Sequence, residues 1–144
     1  MKRVSDILSR KGSHVISVTP DTNVFDALQL MADQNIGSVA VMSNSTFLGI
    51  MTERDYSRKV VLKGRSSSDT LVEDIMSTDL PYVTSLDTIE HCMQLLSNRH
   101  IRYLPVFDGD EIGGIISIND VVTEMILSQK ETISHLTDYL HSGM

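Results

Sequence analysis

The chain has 144 residues, 41% of them hydrophobic, with one cysteine and a formal net charge of −7. A chain of this length buries about two thirds of its unfolded surface in a single body. The acidic balance argues against a nucleic-acid partner, one cysteine excludes an internal disulfide framework, and there is neither an apolar run near the ~20 residues of a membrane span nor a signal-peptide core, so a cytoplasmic protein with no membrane partner is expected.

The chain opens on a short apolar and acidic turn, Val4-Ser5-Asp6-Ile7, expected to dock as a helical turn. A leading strand is expected at 15–18. Val24, Ala27, Leu28 and Met31 then fall at i, i+3, i+4 and i+7, the spacing of one helical face. Thr22 is the expected N-cap. Strands are expected at 39–42 and 47–51 around a polar turn, then a helix from Glu53 to about Leu62. Lys63-Gly64-Arg65-Ser66-Ser67-Ser68 is small, polar and basic and reads as a linker. A second apolar and acidic turn, Val72-Glu73-Asp74-Ile75, precedes a second pass through the same elements. These are a strand at 82–84, a helix with Ile89, Cys92, Met93 and Leu96 on one face, strands at 104–107 and 112–116, and a helix from Ile118 to about Ser128. Asp87 with Glu90 suggests a capping box. Cys92 and most of the methionines read as core. Pro105 should sit near a strand start or at an edge, since it cannot donate to a ladder. Beyond Ser128, Ile133, Leu136 and Leu140 continue an apolar stripe, with Tyr139 beside it; folding back on the chain and docking on a second subunit both fit.

Residues 18–55 and 83–120 are the same segment at a constant offset of 65 without a gap. Gln29-Leu30 returns as Gln94-Leu95, Gly49-Ile50 as Gly114-Ile115, and Asp55 as Asp120. Each copy reads β-α-β-β-α, so the expected fold is α+β (of α/β type), two repeats packed with pseudo-twofold symmetry. The expected divisions are 1–64 for the first repeat, 65–71 for a linker, 72–128 for the second repeat and 129–144 for a helical tail.

Each hairpin ends in Gly-apolar-apolar-Thr/Ser-x-x-Asp: Gly49-Ile50-Met51-Thr52-Glu53-Arg54-Asp55 and Gly114-Ile115-Ile116-Ser117-Ile118-Asn119-Asp120. Thr52 and Ser117 stand where strand becomes helix and free N–H groups point outward. Asp55 and Asp120 accept only, which suits vicinal ribose hydroxyls. Arg54, Arg58, Lys59 and Arg102 offer countercharge for phosphate, and a strand start such as Gly37-Ser38-Val39 offers an adenine slot with backbone groups at its edge. The same Thr/Ser and Asp residues are also what a helix N-terminus wants. The histidines show no metal-ligand spacing, and no nucleophile with a base or pair of catalytic carboxylates stands out, so neither a metal site nor an enzyme is expected.

From Val4 to about Ser128 these residues resemble a tandem pair of CBS domains, a regulatory Bateman module, of the small stand-alone kind. The resemblance implies two clefts holding an adenosyl ligand: AMP, ADP, ATP or NAD(H), with S-adenosylmethionine as an alternative. One cleft would join Thr52, Arg54, Asp55 and Arg58 to Thr84, Arg102, Tyr103 and Leu104. The other would join Ser117, Asn119 and Asp120 to Thr19, Gly37, Ser38 and Val39. Lys63 and Arg65 would close over a phosphate as a lid, against the plain alternative of a solvated linker. The Asp55 cleft, richer in arginine, is expected to hold the phosphorylated ligand more tightly. The implied function is a sensor of energy or redox state that signals to an unidentified partner protein. The implied assembly is a homodimer through the second helices, at Tyr56, Val60, Val121 and Met125. The rival reading is a ligand-independent dimerisation scaffold.

Overall fold

The computed structural model describes residues 1–142, so the last two residues of the expected 129–144 tail lie outside the described residues. In chain order the elements are α1 (Val4–Lys11), β1 (Ser17–Val18), α2 (Val24–Gln34), β2 (Ser38–Ser43), β3 (Thr46–Thr52), α3 (Glu53–Tyr56), α4 (Ile89–Arg99), β4 (Tyr103–Asp108), β5 (Glu111–Ser117) and α5 (Ile118–Ser142). This mixture of helices and small sheets is α+β, as the repeat implies. The chain forms two compact units, one of His14–Leu80 and one of Met1–Ser13 with the chain from Pro81 onward.

In the first unit β1 runs parallel to β2, and β2 antiparallel to β3. Helix α2 buries Val24, Ala27 and Met31 against Val39, Val41 and Met51 of the sheet. In the second unit β4 and β5 form the hairpin, and α4 buries Ile89, Cys92 and Leu96 with Leu104, Val106 and Ile116. Fully burying one such aliphatic side chain contributes about 1.5–3 kcal/mol, so these two clusters dominate the stability of their units. Both first helices end on a left-handed residue, Asn35 (φ 54°) and His100 (φ 53°), again at the offset of 65.

The copies differ at their leading strands, and a proline gives the reason. Ala40 donates its N–H to the Ile16 carbonyl in the first unit, extending β1 along β2. Pro105 stands at the matching place and has no N–H to give. The second leading strand therefore shrinks to a single bridge, Val83 with Val106. Pro105 lies inside β4 but on an edge strand, as expected, with its nitrogen facing this thinned side, so no bond to β5 is lost.

The N-caps fall one residue later than the sequence suggested, at Asn23 and Thr88, whose side chains accept from Asp26 N at 2.8 Å and His91 N at 3.2 Å. Asp87 is not a cap because its carboxylate closes the preceding turn, accepting from Thr84 N at 2.8 Å. Thr22 likewise turns back, its N–H bonding the Thr19 carbonyl.

The packing units also cut the chain differently from the repeats. The segment expected as a free linker, 65–71, is fixed on the first copy. The Thr70 and Ser67 carbonyls accept from Val24 N and Phe25 N, two N–H groups that the start of α2 leaves without an intrahelical partner. Thr70 is buried, and Val72 and Ile75 enter the first unit's core. The opening segment does the same for the second copy: Ile89 N donates to the Lys2 carbonyl, and Val4 and Ile7 of α1 enter that core. Each leader thus completes the copy that it does not precede in sequence.

After α3 the first copy widens into a π-helical turn, Ser57–Val61, closed by Leu62 N on the Ser57 carbonyl at 3.0 Å. The second copy has no such turn. There α5 runs on as one helix of 25 residues, merging the expected second helix and tail. Its residues 129–141 are exposed throughout. Val60 and Val121, expected to face a second subunit, are instead core residues of their own units.

Candidate functional site

The register of each hairpin sets the site. Thr52 lies opposite Ser38 across β2 and β3, and Glu53 N donates to the Gly37 carbonyl at 3.1 Å. Ser117 lies opposite Tyr103, and Ile118 N donates to the Arg102 carbonyl at 2.9 Å. Within a unit, therefore, each Thr/Ser-x-x-Asp turn stands beside the strand start of its own copy. The crosswise partners expected for Thr52 and for Ser117 belong to the other unit in each case.

Both turns are capping boxes, so the structural reading of the motif holds. Thr52 Oγ1 accepts from Asp55 N at 3.0 Å, while Asp55 Oδ2 accepts from Thr52 N and from its hydroxyl, both at 3.0 Å. Ser117 Oγ accepts from Asp120 N at 3.1 Å, and Asp120 Oδ2 accepts from Ser117 N at 2.8 Å.

The two carboxylates are then recruited differently. Asp55 is 6% exposed, and its Oδ1 accepts from Ser77 Oγ and pairs with Lys59, each at 2.9 Å. Four donors fill the roughly four lone-pair positions of a carboxylate. Lys59 lies one helical turn on from Asp55 and is anchored a second time on the Ile75 carbonyl at 2.8 Å. Lys59, expected as countercharge for a ligand, here neutralises Asp55.

Asp120 takes its cation from α1. Lys11 Nζ donates to Asp120 Oδ2 at 2.8 Å and to the Ile115 carbonyl at 3.0 Å. Burial is the largest single influence on Asp120 and would raise its pKa. The hydrogen bonds from Lys11 and Ser117, together with the Lys11 charge, outweigh it and hold the carboxyl below its usual range. The residue matching Lys59 is Glu124, which is buried and lies 3.6 Å from Arg10. The cation thus comes from the helix in the first copy and from the leader in the second. Lys11, Arg10 and Ser77 went unnoticed in the sequence because they come from leaders docked at long range. A signal was available: Arg10 and Lys11 close α1 at the same remove from their copy as Ile75 and Met76 from theirs.

The remaining candidates divide by exposure. Arg54, Arg58, Arg102, Asn119, Thr19 and Lys63 are exposed, whereas Gly37, Thr84 and Tyr103 are half-buried and Ser38 is buried. Val39 and Leu104 are core side chains, leaving only their backbone groups for a ligand. Thr19 donates to Asp21 at 2.6 Å. Arg65 lies 3.7 Å from Asp74, and its N–H closes on the Val60 carbonyl, which ties down the segment expected as a lid. Among the described residues no cluster of His, Cys, Asp or Glu is arranged for a metal ion. No helix among them is long and apolar enough to cross a membrane.

A family model for the CBS domain matches residues 4–61 and 72–127. The CBS domain-containing protein CBSX3, mitochondrial, of Arabidopsis thaliana is 34% identical over 149 residues, covering 97% of this chain and 72% of its own. The crystal structure of the CBS domain NE2398 superimposes with a TM-score of 0.83 at 42% identity, covering 88% of this chain and 99% of that one. The CBS domain pair of protein MJ0100, solved with 5′-methylthioadenosine and S-adenosyl-L-methionine, shares the fold at 21% identity and a TM-score of 0.76, covering 86% of this chain and 99% of that one.

Proposed function

The chain belongs to the CBS-domain family, and from that premise we propose that it is a non-catalytic regulatory module binding an adenine nucleotide (AMP, ADP, ATP or NAD(H)). In this reading it works in the cytoplasm, the ligand binds at the Thr/Ser-x-x-Asp turns, and a partner protein reads the resulting change. The observation that carries the reading is the paired turn. Twice, at matched positions, a carboxylate is fixed by its own backbone next to a lysine and a strand start. That grouping offers acceptors to a ribose and a cation to a phosphate. The adenosyl ligands of the MJ0100 pair support the ligand class.

The two carboxylates enter this reading on different terms. Asp55 accepts a ribose hydroxyl only by releasing one of its four donors; where that donor is Lys59, the freed ammonium then serves a phosphate beside Arg54 and Arg58. Asp120 has Lys11 at hand, a cation that makes its site less poor in charge than Asn119 suggested.

Thermal melts with AMP, ATP, NADH and S-adenosylmethionine test the proposal. A ligand at 100 times its Kd stabilises by about 2.7 kcal/mol, or roughly 5–10 °C for a chain of this size. Asp55→Asn, which preserves the cap, should abolish most of the shift with ATP. Flat melts at saturating concentrations of all four compounds support the scaffold and overturn the sensor.

A further inference from the structure

Helix α5 carries a second pattern independent of the ligand reading. Val122, Ile126, Gln129, Ile133, Leu136 and Leu140 are separated by 4, 3, 4, 3 and 4 residues, the a/d spacing of a coiled-coil seam. The five apolar members are 39%, 46%, 63%, 57% and 66% exposed, in chain order. The opposite face of α5 is already used by its own unit. Asp120, Glu124 and Glu131 point there and pair with Lys11, Arg10 and Lys2 of the opening segment. The seam positions therefore face away from these ion pairs, while Val121 and Met125 pack against the unit's core along one side of the seam.

We propose that this face is covered by α5 of a second copy of the chain, parallel and in register. Three considerations select that occupant. An exposed helical stretch of 13 residues, 129–141, is marginal in water unless another element packs on it. Its first turns are fixed by the unit's core, with Val121 buried, so a short seam suffices to hold the rest. The chain carries −7 overall, which sets two copies against each other, yet the flanking positions Thr123, Met125, Lys130, Thr132 and Thr137 include no acid. The acids sit on the far face, so like charges stay apart when the seams meet. Gln129 fixes the orientation. In a parallel pair it meets its own copy and the two amides satisfy each other; in an antiparallel pair it would be buried against Ile133 without a partner.

Cysteine cross-linking of the full chain tests this, because Cys92 is buried and adds no background. Leu136→Cys should oxidise to a disulfide-linked dimer at least ten times faster than Ser134→Cys, which points away from the seam. Ile133→Asp with Leu136→Asp should lower the helical signal by the equivalent of the exposed stretch while the units stay folded. Equal rates for the two cysteines, or unchanged helicity in the double variant, would overturn the seam. Faster linking in a mixture of Ile126→Cys and Leu136→Cys chains than in either alone would make it antiparallel and refute the register proposed.

Discussion

Gly49 and Gly114 occupy the same place in the two copies, yet substituting each by alanine should have unequal consequences, costly at Gly49 and neutral at Gly114. A Cβ on Gly49 would stand 2.6 Å from the Ser77 carbonyl oxygen, a backbone atom. Ordinary contact begins at 3.4 Å, so the 74–77 segment must withdraw by 0.8 Å (3.4 − 2.6). Two hydrogen bonds join that segment to β3, Ile50 N to Ser77 O at 3.0 Å and Ser77 N to Ile50 O at 2.8 Å. Lengthened by that amount, both leave the bonding range. The loss is about 1 kcal/mol for each bond, offset by about 0.5–1 kcal/mol from replacing a strand glycine. Gly49→Ala should therefore destabilise by about 1–1.5 kcal/mol and lower Tm by roughly 2–6 °C. A Cβ on Gly114 meets only Leu8 Cδ2, at 3.0 Å, and the end of a leucine can turn aside. Gly114→Ala should be neutral to within about 0.5 kcal/mol. Urea unfolding of the two variants beside the parent chain supplies the comparison. Equal costs, or a harmless Gly49→Ala, would refute the docking of the second leader on β3. Because Ser77 also donates to Asp55 and competes there with a ribose hydroxyl, stabilisation by ATP should be at least as large in Gly49→Ala as in Gly114→Ala.

Asp120, with a folded pKa below its unfolded value, contributes stability above the ordinary carboxylate range that is lost as pH falls through the depressed value. Lys11→Met should flatten or reverse that acid limb, as burial then dominates; superimposable stability profiles from about pH 6 down to pH 2 would contradict the pairing. Arg10→Met leaves the buried Glu124 without its cation and should cost about 1–3 kcal/mol in urea unfolding, whereas Lys2→Met, at an exposed pair, should leave the midpoint unchanged. Burial, reinforced by Asp87, pushes the Cys92 thiol up to about 12, so it should resist thiol reagents at neutral pH and react on unfolding. Prompt labelling of the folded chain would show the core around α4 to be open.

What was legible in the sequence follows from range. Val24, Ala27 and Met31 announced a helix because periodicity is local, and the offset of 65 carried the same reading to Ile89, Cys92 and Leu96. The hairpins were legible for the same reason, and with them the two Thr/Ser-x-x-Asp turns. The caps slipped by one residue because the carbonyls of Thr70 and Lys2, distant in sequence, decide where α2 and α4 begin. Val60 and Val121 looked like partner-facing residues because a helical stripe alone does not say which surface it meets. Lys11 escaped notice because nothing near it in the chain needs a cation; Asp120 does, 109 residues away.

The exchange of leaders has a genetic corollary. A gene for residues 1–64 alone would encode a repeat whose own opening helix has no place on it, with the start of α2 left bare. Two such chains could remedy the defect only by lending each other their first residues. Duplication and fusion of that gene would turn the mutual loan into an internal one, and the two halves could no longer be separated without cost to both.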